Sequence, residues 1–245
     1  MQKVALILHG WPQTSMNQHI LGKFFKKNKY ILLTPNLFDE DWGKDLKDIV
    51  ENINTKLGVK NLDVIVGISM GGLVLPSLAE KHPRAKLIFI STAPYFKPDL
   101  FIMRVLANLT ILSFIQKLFV LIAKISGKGF IEFVYRKLNP FDGNQKHRKA
   151  YEEDLKRNLK EISRYPFSKH VQMLALCSKI DNTKILRTLK NKCIIFGGRG
   201  DKLMPYALVK ELSKLLPNSK LIITSGLHFN SFEKKNLRDL KVYLK

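Results

Sequence analysis

The chain is predicted to fold as an α/β protein, a parallel sheet with helices on its faces. Short apolar, β-branched runs recur along its 245 residues and alternate with stretches of helical pattern, the order that builds such a sheet. Four of these runs end in residues that carry chemistry. A composition that is 45% hydrophobic and 25% charged suits one globular domain with a full core.

The first strand is expected at Lys3–Leu8 and ends in His9-Gly10-Trp11-Pro12. The second is Tyr30–Leu33. The third, Leu62–Val66, runs into Gly67-Ile68-Ser69-Met70-Gly71, and Gly72–Ala79 beyond it can carry a helix. That is G-x-S-x-G between a strand and a helix. A serine there sits in a strained turn with its hydroxyl pushed clear of the sheet, and Gly67 and Gly71 keep the turn free of clashing side chains. The fourth strand is Leu87–Ser91. The fifth, Lys192–Phe196, ends in Gly197-Gly198-Arg199-Gly200-Asp201, and the sixth, Lys220–Thr224, in Ser225-Gly226-Leu227-His228.

A serine, an acid and a histidine, each just past a strand and in that chain order, form the layout of a Ser-Asp-His hydrolase. Serine is a poor nucleophile near neutral pH. It needs a base, which His228 can supply, and the base needs a partner to fix its tautomer, which Asp201 can be. Taken singly, each has a plainer reading. His228 could be a hydrogen-bonded loop residue, and Asp201 could cap the helix opened by Lys202-Leu203-Met204-Pro205. Four strand ends mimicking one layout is the harder account. Asp181 and Asp63 are competing acids, Asp63 being expected within the third strand. His82 reads as a helix terminus, and His19, His147 and His170 lack a strand-end context.

With these residues in view the sequence resembles the α/β-hydrolase superfamily over nearly its whole length. His9-Gly10-Trp11 followed by Gly67–Gly72 is most similar to the serine esterase branch, which includes the carboxylesterases that demethylate pimeloyl-carrier-protein esters. The resemblance implies that the backbone N–H groups of Met70 and Trp11 form the oxyanion hole. It implies that His9 and Gly10 are structural residues of that loop, and that no cofactor is required. It also implies a sheet in the order 2-1-3-4-5-6 with right-handed crossovers. With the first strand expected from residue 3, the two antiparallel strands that usually precede it are expected to be missing.

Roughly a hundred residues separate the fourth strand from the fifth, far more than a strand-helix-strand connection needs. The family inserts a cap at this point. The expected division is a core of 1–94 and 186–245 and a helical cap of 95–185. Helices are expected near 100–108 and 110–126, a turn over 139–144, and a solvated helix from Asn144 to Lys160. Leu106, Ile111, Phe114, Ile115, Phe119 and Phe133 are candidate walls of an acyl pocket, with packing inside the cap as the alternative. Asn108, Thr110 and Ser113 interrupt the apolar run too often for a transmembrane span.

The net charge is +22 and the pI about 10.0. No nucleic-acid motif or aromatic–basic interleaving accompanies it. A lysine-rich solvated surface accounts for it, as does attraction to an anionic membrane or an acidic carrier protein. Cys177 and Cys193 make no disulfide framework, no signal peptide is expected, and the cytoplasm is the expected compartment. No ligand-spaced cluster suggests a metal. The expected activity is hydrolysis of carboxylic esters. Thioester cleavage, carbon–carbon bond hydrolysis, perhydrolysis and a catalytically idle binding module are the alternatives.

Overall fold

A computed structural model describes residues 2–13, 16–17, 19–38, 45–58, 61–138, 141, 145, 148–228 and 230–245. By its internal contacts the chain divides into two compact units, Met1–Asp99 with Ile180–Lys245, and Leu100–Lys179.

The first unit holds the sheet. Its strands are β1 (Val4–Leu8), β2 (Ile31–Leu33), β3 (Val64–Ile68), β4 (Lys86–Ile90), β5 (Cys193–Gly198) and β6 (Ser219–Thr224). They form one six-stranded sheet in the order β2-β1-β3-β4-β5-β6, with every pairing parallel. Number and order agree with the sequence expectation, and no further strand occurs among the described residues. Register is fixed by partners such as Leu6 with Ile65 and Phe89 with Ile195.

The strands read as continuous apolar runs because both faces are covered, as a parallel sheet requires. Successive residues point to opposite faces. Ala5, Ile7, Val64, Val66, Ile88, Ile90, Ile194 and Phe196 pack in one cluster with Phe25 and Leu240. The alternate residues Leu6, Leu8, Ile65, Leu87, Phe89 and Ile195 are fully buried as well.

Helices α1 (Ile20–Lys27), α2 (Leu46–Leu57) and α3 (Met70–Ala79) connect the first four strands. Their ends follow local chemistry. The His19 ring accepts the Leu21 N–H to open α1, and the Asp45 carboxylate accepts the Asp48 N–H to open α2. Gly58, with φ 60°, closes α2 in the left-handed conformation that glycine adopts freely. Almost every residue of α3 is buried, Ser77 excepted, as its otherwise apolar sequence demands. Asp63 lies just before β3 rather than within it, and its carboxylate accepts the Val4 N–H at 2.7 Å.

The described elements of the second unit are all helices. The unit contains α4 (Phe101–Leu109), α5 (Ser113–Leu138), α6 (Arg148–Ile162) and α7 (Phe167–Lys179). The expected helix 110–126 is longer than its sequence suggests, because Gly127 and Gly129 do not end it. Each glycine costs a helix about 1 kcal/mol, which the flanking turns can outweigh. Asn158 on α6 donates to the buried Tyr135 hydroxyl of α5 at 2.7 Å, and burial pushes that phenol's pKa up. His170 on α7 is buried and donates from Nε2 to the Ile162 carbonyl at 3.0 Å. The turn expected over 139–144 lies outside the described residues except for Phe141, as do the start of the helix expected from Asn144 and His147.

Both boundaries between the units stand inside the expected 95 and 185. Residues 95–99 and 180–185 are held by the sheet unit. Tyr95 bridges Asp181, Asn182 N–H donates to the Pro94 carbonyl, and Asp99 N–H donates to the Lys202 carbonyl. The Asn182 side chain also donates to the Leu73 carbonyl at 2.9 Å. Beyond them, α8 (Thr183–Thr188) leads to β5, α9 (Tyr206–Leu215) joins β5 to β6, and α10 (Leu237–Leu244) closes the chain. Cys177 and Cys193 are free and buried, and burial pushes both thiols up to about 12. Among the described residues no helix is long and apolar enough to cross a membrane.

Candidate active site

The end of β3 presents Ser69 to the site. Its φ is 50° and ψ −113°, a region that non-glycine residues avoid at a cost of about 1–3 kcal/mol. The surroundings hold it there. Ser69 N–H donates to the Ile90 carbonyl at 2.8 Å, and its own carbonyl accepts the Gly72 N–H at 2.9 Å and the Thr92 hydroxyl at 3.0 Å. The neighbouring glycines leave no room for a side chain. A Cβ on Gly67 would come within 2.6 Å of the Gly72 Cα, and one on Gly71 would strike the Leu8 carbonyl.

Asp201 follows β5, and His228 follows β6. The Asp201 side chain is fully buried, so its charge must be met by donors. Three are present. Oδ1 accepts the N–H groups of Leu203 and Met204 at 2.9 and 2.8 Å, and Oδ2 faces His228 Nδ1 at 2.7 Å. The helix foreseen to open at Lys202 begins only at Tyr206, with Pro205 as its cap, so one Asp201 oxygen holds a turn over 202–205 while the other addresses the histidine. Because a carboxylate only accepts, the proton belongs on Nδ1. The lone pair of Nε2 then points at Ser69 Oγ, 2.9 Å away.

The loop after β1 lies against this turn, since a Cβ on Gly10 would come within 3.1 Å of Ser69 Cβ. His9 is fully buried. Its Nε2 accepts the Leu37 N–H at 2.8 Å, its Nδ1 lies 3.1 Å from the Gly10 carbonyl, and its ring stacks on Phe38. Both of these contacts point away from Ser69. Met70 is the first residue of α3, so its N–H has no carbonyl of an earlier helical turn to bond. Trp11 is half-buried just past Gly10.

The competing acid Asp181 spends Oδ1 on the Thr183 N–H at 2.8 Å. His82 is buried and bonds Asn54 at 3.0 Å, and burial lowers its pKa. The pocket candidates all fall in the helical unit. Leu106 is on α4, Ile111 in the turn after it, and Phe114, Ile115, Phe119 and Phe133 are on α5. Ile111, Phe114 and Phe133 are exposed, and the others are half-buried. Among the described residues no group of His, Cys, Asp and Glu is arranged to hold a metal ion.

Ser91, Thr92 and Ser231 are site residues that motif reading passes over. Ser91 has φ 49°, and its hydroxyl donates to the His228 carbonyl at 2.8 Å. Ser231 Oγ lies against Ser91 Oγ and, with the Ser91 proton already committed, is the donor of that pair. The Ser231 carbonyl accepts the Thr224 hydroxyl at 3.1 Å. Ser91 and Thr92 thus hold the histidine loop and the serine turn from a single strand end. The available clue was position, because the carboxyl ends of strands are where such sheets place their sites.

The model of the α/β-hydrolase fold matches residues 4–235, and the chain belongs to that family. Solved structures of the same fold include a bromoperoxidase from Bacillus anthracis, 17% identical with a TM-score of 0.76, covering 100% of this chain and 92% of its own. The enol-lactonase from Burkholderia xenovorans is 13% identical, also at 0.76, with coverages of 100% and 92%. An esterase from Exiguobacterium antarcticum is 16% identical at 0.73, covering 99% of this chain and 91% of its own. No curated protein matches the sequence.

Proposed function

We propose that the protein is a serine hydrolase that cleaves carboxylic esters through an acyl-enzyme on Ser69. The observation that carries this reading is the continuous hydrogen-bond chain from Ser69 Oγ through His228 to the buried Asp201. In the proposed reaction His228 Nε2 takes the Ser69 proton while Oγ attacks the carbonyl carbon. The carbonyl electron pair moves onto oxygen, and the N–H groups of Met70 and Trp11 donate hydrogen bonds to that oxyanion. Each such donor contributes roughly 3 kcal/mol of transition-state stabilisation. Asp201 offsets the charge on the imidazolium and keeps its ring in place. Collapse of the intermediate expels the alcohol, protonated by His228. Water then enters with His228 as base and releases the acid.

Two of the proteins that share this fold are named as an esterase and an enol-lactonase, names that denote carboxylic ester bonds, and the reading extends that bond class to this chain. The likeness to esterases of carrier-bound pimeloyl methyl esters adds such methyl esters to the substrates worth testing. The net charge of +22 would favour an acidic carrier.

The test is hydrolysis of nitrophenyl esters from acetate to palmitate, alongside labelling by a fluorophosphonate. Turnover and labelling that vanish together in Ser69→Ala, with turnover about 10⁴-fold lower in Asp201→Asn, are the expected result. An unlabelled Ser69 and no ester turned over would assign the protein to the idle binding modules instead.

A further inference from the structure

The large apolar side chains exposed by this protein are concentrated in one place. Among the described residues, all but Ile31 and Val242 fall between Phe101 and Phe133, on α4, α5 and the turn joining them. On α5, Phe114, Leu118, Leu121 and Ile125 recur at spacings of four, three and four. At 100° per residue they share a sector of about 60°. The exposure is substantial, at 64% for Phe114 and 78% for Ile125, with Phe101 on α4 at 75%. Contiguous apolar surface of this kind marks a binding face rather than ordinary exposure.

Charge says what the face binds. No acid occurs between Asp99 and Glu132, whereas Arg104, Lys117, Lys124 and Lys128 do occur there. Lys117 and Lys124 are exposed and, one heptad apart, border the apolar sector on the same side. A second copy of a chain carrying +22 would oppose like charges across such a contact. An anionic bilayer satisfies both features at once, taking the apolar side chains below its headgroups and the lysines among them. We propose that the α4–α5 face docks in the plane of an anionic lipid bilayer. This is independent of the chemistry proposed for Ser69.

The test is co-sedimentation of the full chain with vesicles of phosphatidylglycerol and phosphatidylcholine in equal parts, and of phosphatidylcholine alone. Binding to the first and not the second, reversed by salt, is expected. Leu121→Glu with Ile125→Glu should lower that binding about tenfold or more while the melting temperature and hydrolysis of a soluble short ester stay unchanged. If that variant unfolds, Lys117→Glu with Lys124→Glu reads the charged edge instead, with the same loss expected. Three results would overturn the proposal: no binding to the mixed vesicles at low salt, equal binding to phosphatidylcholine alone, or binding unchanged in the variants. Sedimentation of the free chain as a dimer that the Leu121 and Ile125 changes dissolve would also overturn it, giving the face to a second copy.

Discussion

In the sheet unit, a methyl group added at Gly71 would strike the backbone of Leu8 and His9. One added at Gly129 on α5 would meet nothing within 4 Å. The same contrast runs through the polar groups. Asp201, Ser91 and Thr92 are buried and committed to particular donors and acceptors. The ion pairs that Arg136 makes with Glu132 and Glu152 in the helical unit lie half in solvent, where such pairs contribute about 0–1 kcal/mol. One unit is built to hold atoms in place. The other turns a row of large apolar side chains outward.

The sharpest way to break this contrast is at the serine. Ser69→Ala should lower ester turnover by about 10⁶-fold with little change in the melting curve, and a loss below about tenfold would remove the nucleophile from the scheme. Next is Gly71→Ala, expected to cost about 1–3 kcal/mol or more because backbone atoms rather than flexible side-chain ends must yield. A denaturant midpoint equal to that of the parent would show that the turn has slack. Ser91→Ala should lower kcat about tenfold by loosening the histidine loop, with KM little changed. A purely structural role would move the melting temperature and leave kcat in place.

In the helical unit the sign reverses. Gly129→Ala should stabilise by about 0.5–1 kcal/mol. In a chain of this length that raises the melting temperature by about 2–4 °C per kcal/mol, provided the unit melts with the rest. The smallest effect concerns acid. Burial lowers the pKa of His170, opposed in part by its bond to the Ile162 carbonyl, from a starting value of 6.5. The unfolded chain therefore takes up a proton below pH 6.5 that the folded chain refuses. The stability linked to His170 is present above that pH and lost as the pH falls through the window beneath it. His170→Gln, which keeps a donor for Ile162, should narrow the gap between melting temperatures at pH 7.5 and 5.5. His82, lowered by burial and by Lys81, keeps part of that gap open.

The sheet was legible because its four central strands are buried on both faces and so appear as apolar runs between polar turns. Ser69, Asp201 and His228 were legible because each stands just past such a run. The end of α5 was not legible: the apolar run that marked the expected helix stops near 126, and the helix continues past Gly127 and Gly129 to Leu138. Ser91 and Thr92 were hidden for another reason. Their roles depend on φ 49° at Ser91 and on carbonyls of Ser69 and His228, and no spacing in the chain encodes a partner 137 residues away.

That separation also bears on when the site comes into being. The Ser69–His228 bond joins residues 159 apart, and His228 follows the last strand. A chain emerging from the ribosome has its serine turn, and then Ser91 and Thr92, long before it has His228. Contacts of such long range form late in folding. On the reading proposed for Ser69, its reactivity would then wait until the strand before His228 is in place.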